Sequence, residues 1–484
     1  MLPDKLTSLA LFAMLPAGAF ATPEQTADSS SQSPYIVPTR NNVVTRAILT
    51  VGDAVNYKPD GVTPYRMVGI PDGLGAFDNN DGTFTLVMNH EIASGGAVRA
   101  HGFNGAFVSK WIIEKESLTA LHGEDLMKQV FRYDVASASY QPLAGPLSRF
   151  CSGDLPALTA FYNPATGLGY NGRIYMNGEE SGSNGRAFAH FMDGRSYELA
   201  SIGKISWENA VANPATGDTT IVAGTDDSSP SSTNPGGLVT VYVGQKSNSE
   251  NAVEAAGLKG GNLFVISVDG LLAENDGTPN VSRHFGAKNL GNVTALSGTT
   301  IRSQAFGGAQ PATGFNRPED GSWDPSNPND FYFVTTASFT GHSRLWRLHF
   351  VDPANPAAGG TASILIDGAL SGPRMMDNIS VNKRGTILIQ EDVGNNAHIG
   401  KVWRYNIATG ALEIIAQHDP ARFLAGGSDF LTQDEESSGV IPMDDILGDG
   451  WWLLDVQSHY GTDAELVEGG QLLGLHFAPG QESK

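Results

Sequence analysis

Carboxylates gather at recurring places in this sequence. Glu179-Glu180 and Glu391-Asp392 are adjacent pairs that close short apolar runs, and Asn89-His90-Glu91 sets an imidazole beside a carboxylate at the end of another. Further acids lie in short polar clusters: Pro71-Asp72-Gly73, Cys151-Ser152-Gly153-Asp154, Arg317-Pro318-Glu319-Asp320, Met376-Asp377-Asn378 and Asp434-Glu435-Glu436-Ser437. Like charges brought together in a partly buried cavity repel, and a polyvalent cation relieves them. Neighbouring carboxylates within a strand point to opposite faces, so at most one of each pair faces such a cavity. A solvated acidic turn competes with metal for any one pair; repetition favours metal. His90 is either a ligand or general acid/base, or a structural histidine at a strand end. Cys151, the single cysteine, is either a small buried hydrophobe or a thiolate that selects a softer ion such as iron over calcium. Arg317, Arg374, Arg186 and Arg99 lie beside or downstream of the acidic motifs, as clamps for an anionic substrate or as structural partners of the acids. Neither H-x-x-x-H nor C-x-x-C spacing supports zinc, and neither G-x-S-x-G nor a Walker loop occurs.

The elements that must position these residues are short strands. Six apolar runs end in polar, usually acidic, residues: Phe84–Glu91, Arg173–Glu180, Thr219–Asp227, Phe331–Ser338, Thr386–Asp392 and Trp451–His459. Each is followed by a second apolar-aromatic run, in order Val130–Asp134, Ala187–Met192, Leu238–Val243, Leu345–Phe350, Lys401–Asn406 and Leu472–Phe477. Helical patterning is scarce, with Asn251–Gly257 the fair candidate. Six paired repeats at irregular spacing predict an all-β, six-bladed β-propeller with long loop insertions; a large sandwich is the alternative. In the propeller reading the repeat strands line a central channel, the acidic clusters are the loops leading into them, and both converge on one cavity. The third repeat lacks a clear acidic cluster upstream, and the fourth strand ends without acids.

Composition narrows the partners. The 484 residues carry a formal net charge of −21, which opposes binding to nucleic acid or to anionic lipid. Surplus carboxylates suit hard cations, with Ca²⁺ first. Lys5, an apolar stretch from Leu6 to Leu15 and the triplet Ala19-Phe20-Ala21 read as a secretory signal over 1–21, which implies export to the periplasm or beyond. Residues 22–42 read as a flexible leader, and 43–484 as one propeller domain. No later segment is long and apolar enough to span a bilayer.

The stretches GIPDGLGAFDNNDGTFTLVMNHE, FCSGDLP with NGRIYMNGEE, GFNRPEDGSWDP, MDNISVNKRGTILIQED and DEESSGV with WWLLDVQSH occur in that order. Together they resemble the successive blade motifs of the secreted PhoX-type alkaline phosphatases. The resemblance implies a six-bladed propeller with a central calcium and iron cluster that hydrolyses phosphate monoesters. It also implies that Cys151 is an iron ligand and that Glu179, Glu180, Glu319, Asp320, Glu391, Asp392 and Glu435 are metal ligands or their immediate support. Glu91 joins them as a metal ligand, Arg317 as a clamp on the transferring group and His90 as proton donor to the leaving oxygen. The signal lacks the Arg pair common in that family, and the last motif reads Gln-Ser-His where Gln-His-Pro is commoner. The expectation is therefore a monomeric phosphatase acting on a small phosphate ester, with Ca²⁺ and Fe³⁺ as cofactors. A calcium-dependent propeller lactonase or esterase, and a non-catalytic propeller that uses metal for stability, are the alternatives.

Overall fold

Alternation along the six apolar runs sends successive side chains to opposite sides, and both sides are apolar, so each run must be buried between two neighbours. In Thr386–Glu391, Leu388 packs towards one neighbouring sheet while Ile387 and Ile389 pack towards the other. A ring of radially arranged sheets satisfies this demand. In the computed structural model, which describes residues 25–477, the chain is a six-bladed β-propeller.

The inner strands, numbered by blade, are Pro71–Asp78, Phe150–Asp154, Trp207–Ala212, Pro318–Trp323, Met376–Val381 and Glu435–Pro442. Each pairs antiparallel with the second strand of its blade: Thr83–His90, Ile174–Glu179, Thr219–Asp226, Asp330–Thr335, Thr386–Glu391 and Trp451–Gly461. The six apolar runs are therefore second strands. The acidic clusters, expected as loops leading into channel-lining strands, supply the inner strands themselves. Their polarity is what a channel wall demands, and it masks the apolar alternation by which strands are recognised.

One hydrophobic core fills each gap between blades. Val87, Phe107 and Phe188 lie between blades 1 and 2, and Trp207, Met176 and Val222 between 2 and 3. Phe333, Trp346 and Val241 fill the next gap, followed by Tyr332, Ile387 and Trp403. Trp452 and Leu388 lie between blades 5 and 6, and Trp111, Leu86 and Leu453 between 6 and 1.

Two pairings differ from expectation. The third strand of blade 1 is Phe107–Glu114, not Val130–Asp134. The latter run, as Gln129–Asp134, joins blade 2 by parallel pairing with Arg195–Glu198. The leader expected over 22–42 is tied down in its described part: Ile36–Pro38 adds a strand to the outer edge of blade 5, and Tyr35 and Ile36 are buried. Their apolar side chains gain a core position beside Phe423. The expected helix at Asn251–Gly257 is one turn, Ala252–Ala255, capped by Asn251 Oδ1, which accepts from Val253 N and Glu254 N. The expected signal over 1–21 lies outside the described residues.

Ring closure combines the two ends of the chain. Val43–Thr50 is the outermost strand of blade 6 and pairs antiparallel with Glu468–Phe477. Without it, the long edge of Glu468–Phe477 would be exposed, and blades 6 and 1 would lose Ile48 and Leu49 from their shared core. Deleting residues 1–50 should therefore abolish a cooperative melting transition and cause aggregation on purification. A truncated protein that melts like the full chain would show that this strand is not the closure.

Candidate metal centre

The six blades repeat one local geometry at the end of the channel where the inner strands begin. In each, the residue just past or near the end of the second strand donates its backbone N–H to the carbonyl of the residue that leads into the inner strand. The bonds are Glu91 to Ile70 (2.8 Å), Glu180 to Arg149 (2.9 Å), Asp227 to Ser206 (3.0 Å), Thr336 to Arg317 (2.9 Å), Asp392 to Met375 (3.0 Å) and His459 to Asp434 (3.0 Å). Four of the lead-in residues, Ile70, Arg149, Arg317 and Met375, have φ between 28° and 60°. Left-handed backbone at non-glycine residues stores strain and is held only where surrounding structure fixes it. Two residues after each lead-in come Asp72, Cys151, Glu208, Glu319, Asp377 and Glu436. A register shift follows at or near this point in all six inner strands. Such bulges re-aim side chains.

Two circles of side chains result. Asp72, Cys151, Glu208, Glu319, Asp377 and Glu436 come from the inner strands; Glu91, Glu180, Asp227, Thr336, Asp392 and His459 come from the second strands. Three groups have ligand atoms within 4.8 Å of one another: Asp72, Glu91 and Cys151; Cys151, Glu180 and Glu208; Glu208, Glu319 and Asp377. Because they share Cys151 and Glu208, they form one continuous arc. The Cys151 thiol donates to Glu180 Oε2 at 3.1 Å, and Ser152 Oγ donates to Glu208 Oε1 at 2.6 Å.

Few cations offset this charge. Arg149 pairs with Glu91 at 2.7 Å and also contacts Glu180. Arg317 holds Asp227 through two bonds of 3.0 and 2.9 Å and reaches Glu319 at 2.8 Å. Burial, then the neighbouring carboxylates, push Asp72, Glu319 and Asp377 well above the usual carboxylate range. Burial raises Glu180 to about 9, with Arg149 opposing, and burial raises Glu208 to about 8. Burial and Glu436 bring Asp392 to about 7. Burial, Glu91 and Glu180 also hold the Cys151 thiol well above its ordinary value. His459 moves the other way: burial opposes its charge, but Glu436 and Glu468 outweigh burial and raise it to about 11. The donors fit bound cations. Clustered oxygens suit calcium, and the thiol is the one soft donor, suited to iron.

Alternation sorts the residues expected from sequence. Glu91, Cys151, Glu180 and Glu319 meet in the arc, with Arg317 at its edge and Asp392 next to Glu436. One residue earlier in each second strand, side chains point into the blade. His90 is stacked on Phe107 with its Nε2 2.9 Å from Ser109 Oγ, and burial lowers its pKa to about 3, so it is neutral and faces away from the arc. Glu179 binds Arg186 at 2.9 Å, and Glu391 accepts from Trp403 Nε1 at 2.9 Å and from two backbone N–H groups. Glu435 accepts from Gly400 N at 3.1 Å, and its neighbour Glu436 takes the channel position. Asp320 lies deeper, accepting from Asn209 Nδ2, Gly321 N and Ile379 N.

Sequence reasoning named Asp72, Asp377 and Glu436 only as parts of polar clusters, and missed Glu208 and Arg149. Glu208 stands as a single acid in Trp207-Glu208-Asn209, upstream of the third repeat strand. A cavity of about 570 Å³ opens at the far end of the channel, beside Asp154 and Asp320. The titratable groups meet at the near end.

Neither a protein-family model nor a curated protein sequence matches the chain. Among solved structures it is similar to Pseudomonas fluorescens PhoX in complex with vanadate, a transition state analogue. That likeness has a TM-score of 0.66 and 10% identity, and covers 93% of this chain and 97% of that one. The match shows a PhoX-like fold. Chaetomium thermophilum Sqt1 matches at a TM-score of 0.37 with 8% identity, over 85% of this chain and 96% of that one. A mutant Trypanosoma rangeli sialidase matches at 0.36 with 10% identity, over 92% and 59%.

The raised carboxyls give stability a definite pH dependence. A carboxyl whose folded pKa exceeds its unfolded value of about 4 makes the folded state bind more protons, so stability falls as pH rises between the two values. With Asp392 at about 7, Glu208 at about 8 and Glu180 at about 9, chelated protein should melt at progressively lower temperature from about pH 5 to pH 9. Added calcium should flatten the slope by replacing protons. A chelated protein with a pH-independent melting temperature over that range would contradict this account of the arc.

Proposed function

We propose that the arc is a polynuclear metal centre and that the protein hydrolyses phosphate monoesters on it. The observation that carries this reading is the recurrence of one channel-facing position through all six blades, filled by Asp72, Cys151, Glu208, Glu319, Asp377 and Glu436. A structural scaffold has no need to concentrate carboxyl groups at its axis, where each raises its neighbours' cost of ionisation. The solved structure that this fold resembles holds vanadate as a transition state analogue, which directs the reading to phosphoryl transfer. Asp72, Glu91, Cys151, Glu180, Glu208, Glu319 and Asp377 would hold the cations, calcium on oxygen and iron beside Cys151. Bound there, they supply Lewis acidity to phosphoryl oxygens and acidify a water.

The chain's own residues do the rest. Arg149 and Arg317 stand at lead-in positions on the edge of the arc, with side chains 45% and 25% exposed. Each is pinned by carboxylates on one side and keeps a guanidinium edge for the oxygens of an incoming phosphate. His459, held charged by Glu436 and Glu468, adds a third cation on the same rim. His90, neutral and packed inside blade 1, takes no part in proton transfer. Export, expected from residues 1–21, would deliver the chain to calcium-containing surroundings.

Purified protein supplied with calcium and iron should turn over p-nitrophenyl phosphate and lose that activity on chelation. Arg317→Ala and Arg149→Ala should each lower kcat/KM by roughly 10- to 150-fold, from about 1.5–3 kcal/mol per lost charge-assisted hydrogen bond. Cys151→Ser should lose iron and keep calcium. A metal-replete protein inert towards phosphate esters sinks the phosphatase reading, and turnover of lactones in its place would favour a lactonase.

A further inference from the structure

Below the arc, at the seam where the last blade meets the first, lies a second group of oxygens that the proposed reaction does not use. On the second strand of blade 6, Leu453 packs into the core between blades 6 and 1, and alternation puts Asp455 and Gln457 on the same face. Gln457 Nε2 donates to Asp72 Oδ2 at 3.1 Å and to Glu91 Oε2 at 3.0 Å. From blade 5, Asn378 crosses the channel, its Nδ2 donating to Asp72 Oδ1 at 3.4 Å and to Ser152 Oγ at 2.8 Å. Both amides turn their NH₂ groups to Asp72, which leaves their carbonyl oxygens over. Among the described residues, Gln457 Oε1, Asn378 Oδ1 and both oxygens of Asp455 are buried without a hydrogen-bond donor. Asp455 and Gln457 are 0% exposed and Asn378 1%. Flipping either amide would set an oxygen against the Asp72 carboxylate, so charge fixes their orientation.

The seam is built for close approach. Gly439 forms the bulge opposite Asp455, and a Cβ there would stand 2.9 Å from the Asp72 carbonyl oxygen. Asp455 is near enough to Asp72 that its charge helps raise the Asp72 carboxyl, after burial and the acids of the arc. A buried acceptor left without a donor costs about 1–3 kcal/mol, and more when charged. One proton on Asp455 would satisfy a single oxygen of the four. Carboxylate and amide oxygens without nitrogen or sulfur are the donors of a hard cation. Calcium accepts such a mixed set in flexible geometry, whereas magnesium keeps several waters, for which a seam closed to solvent is a poor host.

We infer that Asp72, Asp455, Asn378 and Gln457 hold a structural calcium ion that ties blades 5 and 6 to blade 1. Asp72 is shared with the arc above; the other three are not part of it. The inference rests on unsatisfied buried oxygens and stands apart from the phosphatase reading. Its test is metal content and melting, not turnover. Asp455→Asn, which keeps the shape, should bind one calcium ion per chain fewer than the unaltered protein, retain any iron, and gain less in melting temperature from added calcium. Asp455→Leu should melt lower in calcium, because a buried carboxylate that holds an ion stabilises the seam. If the seam holds only water or a proton, Asp455→Leu removes a buried carboxyl left short of hydrogen-bond donors and melts higher. Equal calcium in the unaltered and Asp455→Asn proteins, or a Leu variant that melts higher, overturns the inference.

Discussion

Mutual repulsion among the carboxyl groups around one axis is the constraint on which the rest of this structure depends. Five of the six inner-strand positions at the mouth are acids (Asp72, Glu208, Glu319, Asp377 and Glu436), and the sixth is Cys151. Two arginines and one histidine answer them locally. The groups cannot all ionise in a buried site without a counter-charge, and they cannot move apart, because the backbone hydrogen bond repeated in every blade locks each pair of strands at that level. Protons or cations must make up the difference. The site is thus under an electrostatic load that protons on Glu180 and Glu208 relieve up to neutral pH and that grows as pH rises past their raised pKa values.

That load is borne by apolar packing away from the axis. Each gap between blades carries its own core, with a buried tryptophan in five of them: Trp111, Trp207, Trp346, Trp403 and Trp452. Burying such a side chain contributes about 1.5–3 kcal/mol or more, enough for several to offset strained lead-in residues at about 1–3 kcal/mol each. Ile70 is the sharpest case, a β-branched residue at φ 28°. Its carbonyl accepts from Glu91 N, so the strain is spent on placing a channel-facing carboxylate.

The fold was legible because second and third strands are short, continuous apolar runs bounded by Gly, Asn or acidic residues. Thr386–Glu391 and Trp451–Gly461 could hardly be read otherwise. Inner strands were hidden because a channel wall is polar: Phe150-Cys151-Ser152-Gly153-Asp154 has the composition of a loop and the geometry of a strand. The parallel pairing of Gln129–Asp134 with Arg195–Glu198 leaves no local mark, and chain order alone places that run in the blade before it. Within the site, the paired acids were visible, but which member faces the axis depends on register. A shift of one residue exchanges Glu180 for Glu179 and Glu436 for Glu435. Glu208 stood alone between Trp207 and Asn209, and a single acid carries no signal until its blade is placed beside the others.

Glu319 and Asp320 show how the bulge divides adjacent acids between two fates. The register shift between Pro318 and Gly321 leaves both residues unpaired in the ladder and turns both towards the channel, at different depths. Asp320 receives Asn209 Nδ2 at 2.6 Å, Gly321 N at 2.6 Å and Ile379 N at 3.0 Å, so the protein itself solvates it. Glu319 has Arg317 and otherwise meets other acids: Asp227, Asp377 and Glu208 all push its carboxyl up. An acid that is given three donors is part of the wall, and one that is given acids for company keeps a raised carboxyl that the protein leaves uncompensated. Asp72 falls between these classes, with donors from Gly73 N, Asn378 and Gln457 on one side and Glu91 and Cys151 on the other. Its carboxylate is therefore common to the arc and to the seam between the last blade and the first. Any cation it binds in the arc draws on the same carboxylate that orders Asn378 and Gln457 across the seam between the last blade and the first.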